Sequence, residues 1–151
     1  MSGHEELLAT WSMRATAERY AMAVDRGDAD MFAAQFTPGG ILEAPRGRFS
    51  GREQLASVPP MMRRLYERTH HAVVGLVPVV EGSRATAHTY THARHYYRDK
   101  AGQDLCYEMT IRYEDIFEDV EGAWLIAHRV LVLVGDATYP TGRSHRPADA
   151  G

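Results

Sequence analysis

Cysteine is almost missing from this chain: among 151 residues there is one, Cys106. No intramolecular disulfide can form, so the fold rests on its core, and a lone thiol in a strand-like run reads as a small buried hydrophobe. Also missing is any apolar run of roughly 20 residues, the length that a membrane-spanning helix needs. There is no basic block of the kind that marks a nucleic-acid surface; acids and bases mix to a formal net charge of −3. The opening stretch "MSGHEELLATW" carries acids where a signal peptide carries bases, so a cytoplasmic protein is expected. One domain with a single sizeable core is the default at this length. Against these gaps stand eight histidines, the side chain best suited to acid–base work near neutral pH.

The spacing predicts a helix over residues 3–26, with Ser2 as its cap, Glu5 and Glu6 in the first turn and Gly27 at its end. Two apolar sets recur near helical spacing: Leu8, Trp11, Ala15 and Met22, and Leu7, Ala17, Ala21 and Val24. Asp28 caps a short second helix over "ADMFAAQF", and "TPGG" breaks the chain. "ILEAPRGRFSG" reads as strand, turn and strand. "REQLASV" opens a third helix, which Pro59 and Pro60 interrupt or redirect before "MMRRLYERT" resumes it. From Thr69 the period changes to two. Long strands are expected over about 70–81, 84–98 and 104–118, with a fourth in "AWLIAHRVLVLVG". A single domain over 1–135 is then followed by a polar, mobile tail over 136–151. Helices first and a strand meander last argue for an α+β fold, helices packed on one face of a strongly curved antiparallel sheet. Such a sheet makes a cone, and its open end is a natural pocket.

Within "RTHHAVVG" His70 and His71 stand side by side, so only one of them can face the core. In "RATAHTYTHARHYYRD" the alternation puts His88, Tyr90, His92, Arg94 and Tyr96 on one face, and Ala85, Ala87, Thr89, Thr91, Ala93 and His95 on the other. Neither face is rich in bulky apolar residues, which suits a pocket on one side and a subunit contact on the other. His88 and His92 lie roughly 13 Å apart along the strand, too far for one metal with nitrogen ligands near 2 Å. A metal shared by His71 and His92 on neighbouring strands stays open, but no metal or organic cofactor is required.

Four stretches, in this order, carry a resemblance: "RYAMAVDRGDADMFAAQFTPGGILEAP", "GREQLA", "THHAVVGLVPVVEGSRATAHTY" and "YEDIFEDVEGAWLIAHR". Over about residues 5–135 the chain resembles the SnoaL-like branch of the nuclear-transport-factor-2-like superfamily. The enzymes that it resembles include scytalone dehydratase, hexachlorocyclohexane dehydrochlorinase and bile-acid 7α-dehydratase. That resemblance implies a catalytic pair of Asp25 on the first helix and His71 at the start of the first long strand, with Tyr20 beside them. It implies a substrate-binding Arg129 in "WLIAHR", and a second catalytic histidine on the next strand, assigned to His92 with His95 as the alternative. Ketosteroid isomerase is also similar, but Ala44 stands where its base would be.

Each residue has a plainer alternative. Asp25 in "DRGD" fits a solvated helix end, and His71 a satisfied core histidine. Tyr20 and Asp25 are five apart, about 140° around an ideal helix. Arg129 suits an ion pair with Asp115 as well as a substrate clamp; Tyr113 and Asp115 share a face and reach toward the pocket floor. The expected function is a cofactor-independent dehydratase-type lyase. Its substrate would be a small hydrophobic or hydroxylated carbonyl compound of polyketide, steroid or terpenoid type, and neither nucleic acid nor membrane would be a partner. An isomerase or polyketide cyclase using the same base, and a non-catalytic ligand-binding protein, are the rivals. The resemblance also implies a homodimer or homotrimer.

Overall fold

The structure is a computed structural model in which residues 1–143 and 145 are described. The first helix, α1, runs Gly3–Arg26. Its start is a reciprocal cap: the Glu5 N–H donates to Ser2 Oγ at 3.2 Å, and the Ser2 N–H donates to Glu5 Oε2 at 2.6 Å. Its end is Gly27, whose φ of 69° is the left-handed conformation that glycine adopts freely. A Cβ there would also stand 2.8 Å from Arg63 Nε.

The buried face of α1 is Ala9, Met13, Thr16, Tyr20 and Val24, together with Ala17, Ala21 and Ala23. Of the set Leu8, Trp11, Ala15 and Met22, Leu8 at 56%, Trp11 at 70% and Met22 at 43% exposure turn outward; of the other set Ala17, Ala21 and Val24 are buried and only Leu7, at 65%, is exposed. Small residues win the inward face because the helix lies close on the sheet. Thr16 Oγ1 donates to the Trp124 carbonyl at 2.7 Å, and the Trp124 N–H donates to Ser12 Oγ at 3.1 Å.

Asp28 caps α2, Ala29–Ala33, by accepting the Met31 N–H. The "TPGG" stretch does not break the chain; β1 runs through it, Phe36–Ala44, and absorbs it as an irregularity between Phe36 and Ile41. Gly40 makes this possible, since a Cβ there would sit 2.8 Å from Phe36 Cβ and 3.0 Å from the Ile126 carbonyl oxygen. Strand β2, Gly47–Ser50, closes a hairpin, and α3, Gly51–Leu55, follows. In α4, Val58–Leu65, the two prolines occupy the first turn, where no N–H is needed, so they start the helix instead of interrupting it.

The long strands are β3, Arg68–Glu81; β4, Arg84–Arg98; β5, Asp104–Val120; and β6, Ala123–Pro140. The last strand therefore continues past residue 135: Pro140 pairs with Leu105 and Tyr139 with Cys106. Of the tail expected over 136–151, residues 144 and 146–151 lie outside the described residues.

The sheet has six strands in the order β2-β1-β6-β5-β4-β3. It is mixed, not purely antiparallel, because β1 pairs parallel to β6. Two extra residues in β6, Ala127 and Val134, lie at register shifts against β5. The first flips the alternation, so that Trp124 and Ile126 are buried before it and Arg129 after it. All six strands, with α1 and α4, line one cavity of about 660 Å³. A flat sheet of six strands would be roughly 24 Å across, so both edges can meet one cavity only if the sheet curls around it. The α+β cone expected from the sequence is thus present, with its sheet open.

Candidate active site

Asp25 occupies the last turn of α1, just before the Gly27 stop. Arg63 of α4 donates to its carbonyl at 3.0 Å, satisfying a helix-end acceptor. The side chain turns to the start of β3, where it takes three hydrogen bonds. Thr69 Oγ1 donates to Oδ1 at 2.9 Å, the His71 backbone N–H donates to Oδ2 at 3.0 Å, and His71 Nδ1 lies 2.7 Å from Oδ1. Thr69 and His71 share a face because strands alternate, and His70 is exposed on the other.

An ionised carboxylate only accepts. Against it His71 Nδ1 carries the proton, and in the neutral ring the lone pair is then on Nε2. The ring is 6% exposed and lines the cavity. Asp25 does not line it; it works from behind His71. This removes the difficulty of the 140° separation, since Tyr20 faces the cavity and Asp25 faces β3.

The second histidine in the cavity is His95, not His92. His95 is 3% exposed, whereas His92 is exposed on the opposite face of β4. The inward face is the one with Ala85, Ala87 and Ala93, whose small side chains leave space for α1 and for the cavity. With His71 inside and His92 outside, the two cannot share a metal. His95 Nδ1 meets the Tyr107 carbonyl at 2.9 Å, so it too presents Nε2. Its ring stands edge-on to that of His71, centroids 5.6 Å apart. Burial holds the His95 imidazole down at about 4, against the help of the Tyr107 carbonyl, so it is neutral at pH 7.

Tyr113, Asp115 and Arg129 do not line the cavity, so they are not positioned to bind substrate as expected. They form a buried unit behind it. Arg129 Nε and Nη2 donate to Asp115 at 2.7 and 2.8 Å, and Thr89 Oγ1 donates to the same carboxylate at 2.7 Å. The guanidinium packs 4.4 Å from the Tyr20 ring centroid and 4.1 Å from that of Tyr113. Burial opposes its charge, but Asp115 outweighs that, and Arg129 stays a cation. Burial raises Tyr20, with Arg129 pulling the other way, so its hydroxyl keeps its proton at neutral pH.

The remaining wall is apolar: Leu42, Phe49, Met61, Met62, Met109, Ile111, Leu131 and Leu133 among others. Two residues at the site went unremarked in the sequence. Tyr66, at the end of α4, packs against His95 in a tilted contact with centroids 4.8 Å apart, and Arg46, in the β1–β2 turn, donates to the Tyr66 hydroxyl at 3.1 Å. The only signal for them was a turn, "APRG", opposite a helix end.

No curated protein matches the chain in sequence. Among solved structures, it is similar to a protein of unknown function from Mycobacterium tuberculosis. The identity is 24%, 86% of this chain and 74% of that one are covered, and the TM-score is 0.74. It is similar to a scytalone dehydratase-like protein from Novosphingobium aromaticivorans, with 19% identity, coverage of 95% and 100%, and a TM-score of 0.79. It is also similar to a type 2 hexachlorocyclohexane dehydrochlorinase, with 13% identity, coverage of 97% and 99%, and a TM-score of 0.81. Together with a likeness to a nuclear transport factor 2-like superfamily protein from Salmonella enterica, at 19% identity, coverage of 95% and 96% and a TM-score of 0.69, these establish a nuclear-transport-factor-2-like fold. The SnoaL-like domain matches residues 5–130, and on that match the chain belongs to the SnoaL-like domain family.

Proposed function

We propose that this protein is a cofactor-independent lyase of the dehydratase type, with His71 as its general base. The observation that carries this reading is the 2.7 Å contact of Asp25 Oδ1 with His71 Nδ1, on a residue that lines the cavity. Nε2 takes the proton beside a substrate carbonyl. Electrons move into the new double bond as the neighbouring hydroxyl departs, and the imidazolium returns the proton to that hydroxyl as water. One group thus serves as base and then acid, for a gain of about 10²–10⁴-fold. Tyr20 holds its proton and donates to the developing oxyanion. Neutral His95 has only a lone pair to offer, so it accepts from the departing hydroxyl and orients it. The solved dehydratase-like and dehydrochlorinase neighbours fit the same class of elimination.

Incubation with hydroxylated polycyclic ketones, followed by mass spectrometry, tests this reading. The expected result is loss of one water by the wild type and not by folded His71→Ala; equal loss by both overturns it. A product of unchanged mass would point to isomerisation or cyclisation by the same base.

The outer sheet face exposes Val74 at 58%, Val77 at 64%, Val79 at 60% and Val134 at 60%. Second copies of this chain would cover that strip in a homodimer or homotrimer. Native mass spectrometry at micromolar concentration should show one of these species; a monomer alone refutes it.

A further inference from the structure

Among the described residues, the cavity wall contains a single permanently charged side chain. Of those lining it, only Arg46 is always ionised; the rest are apolar, tyrosines or the two imidazoles, and no carboxylate of the described residues is part of the lining. The Asp25 carboxylate is engaged behind His71. Arg46 forms no ion pair among the described residues, and its neighbour is the neutral Tyr66 hydroxyl at 3.1 Å. Its guanidinium carbon lies 5.9 Å from the Tyr66 ring centroid. Its positive charge also bears on His95.

Such a wall has a definite preference. A cation would find no counter-charge in it. A neutral apolar molecule would fill it but gain nothing from the exposed Arg46 guanidinium or the Tyr66 hydroxyl beside it. An apolar molecule with one anionic oxygen group would satisfy both: the guanidinium fork takes a carboxylate with directional bonds, and the Tyr66 hydroxyl adds a third. Because β1 and β2 meet in the turn that carries Arg46, this grip sits at the mouth. Tyr66 leads inward to His95 and His95 to His71 through two successive ring contacts of 4.8 and 5.6 Å. The anion is therefore separated from the reacting carbon, as it should be, since a second negative charge beside a forming enolate would oppose it. At about 660 Å³ the cavity holds a skeleton of several fused rings.

Building on the proposed base, we infer that the substrate is a polycyclic keto acid whose carboxylate is held by Arg46 and Tyr66 while its enolisable carbonyl lies at His71. Arg46 and Tyr66 are then specificity-determining residues of the site.

Binding tests this without any knowledge of the natural substrate. Phenanthrene-9-carboxylate and its uncharged isostere phenanthrene-9-carboxamide are titrated into the protein by calorimetry. The wild type should bind the carboxylate about tenfold more tightly. Arg46→Gln should bring the two within about twofold, and Tyr66→Phe should narrow the gap. Arg48→Gln removes the same charge from the neighbouring strand and should leave the preference intact, because Arg48 does not line the cavity. Equal binding by the wild type, a preference that survives Arg46→Gln, or one that Arg48→Gln abolishes equally would each overturn the inference. The readout does not depend on turnover. A carboxylate preference in a protein that dehydrates nothing supports this inference and counts against the dehydratase reading. Dehydration of neutral ketones with no such preference does the reverse.

Discussion

His71 and His92 show what a residue's chemistry owes to its position. Both are histidines on adjacent strands, yet one is fixed by a carboxylate at 2.7 Å and the other is exposed on the outer face. If Asp25 sets the His71 tautomer, Asp25→Asn should lower turnover by about 10²–10⁴-fold with substrate binding little changed. Steady-state kinetics on the first substrate found would show this as a loss in kcat, not in KM. The Asp25 and His71 pairing was legible through the family resemblance; alternation alone says that only one histidine of the pair faces inward, not which. The choice between His92 and His95 was not legible. Both faces of β4 carry histidine and small residues, and only the packing of α1 decides which face is inside. His95 makes its own prediction. Its folded-state value of about 4 lies below the ordinary 6.5. The unfolded chain therefore binds the extra proton first as pH falls, and stability drops between pH 6.5 and about 4. The drop should be roughly 3 kcal/mol at most. Urea denaturation at pH 7 and pH 4.5 should show it in the wild type and show a shallower slope in His95→Phe.

At the scale of elements, α1 is held to the sheet by a buried polar unit as well as by its apolar face. The side chains of Asp115 and Arg129 are 0% and 1% exposed, and the guanidinium packs on Tyr20 of the helix. Arg129→Met should destabilise by about 3–5 kcal/mol, because it leaves a buried carboxylate without its partner. Adding Asp115→Leu should restore part of that, which a double-mutant cycle in denaturant would detect; additive losses would mean that the two act independently. Gly40→Ala should cost about 1–3 kcal/mol through crowding against Phe36 and Ile126. The limits of α1 and the three long strands were readable from caps and period. By contrast, α2 and α4 end short of the helices expected over "ADMFAAQF" and "MMRRLYERT", at Ala33 and Leu65, because β1 and β3 already begin at Phe36 and Arg68. The strand through "TPGG" was not readable, because its pairing with β6 depends on a register shift that no local signal announces. Leu8 and Trp11 misled in the opposite direction: hydrophobicity marks them as core, but close helix–sheet approach selects Ala9, Met13 and Thr16 instead.

At the scale of the whole molecule, the curl of a six-stranded sheet turns separate strand ends into one enclosed surface. His71 near the edge of β3, His95 on β4, Arg46 in the far hairpin and Tyr20 on α1 all meet the same cavity. The helix-then-strand order was enough to foresee a cone with a pocket. The hairpin's return to β6, which brings Arg46 to the mouth, is a long-range pairing that spacing does not encode. If this cavity presents a working base at His71, hydrogen exchange at carbon reads it directly. Polycyclic ketones and keto acids would be incubated with the protein in deuterium oxide, and deuterium gain at the carbon beside the carbonyl followed by NMR, for the wild type and for folded His71→Ala. Exchange should be catalysed by the wild type and fall to the uncatalysed rate in the variant, whether elimination, isomerisation or cyclisation follows. Exchange at the same catalysed rate in both would contradict a base at His71.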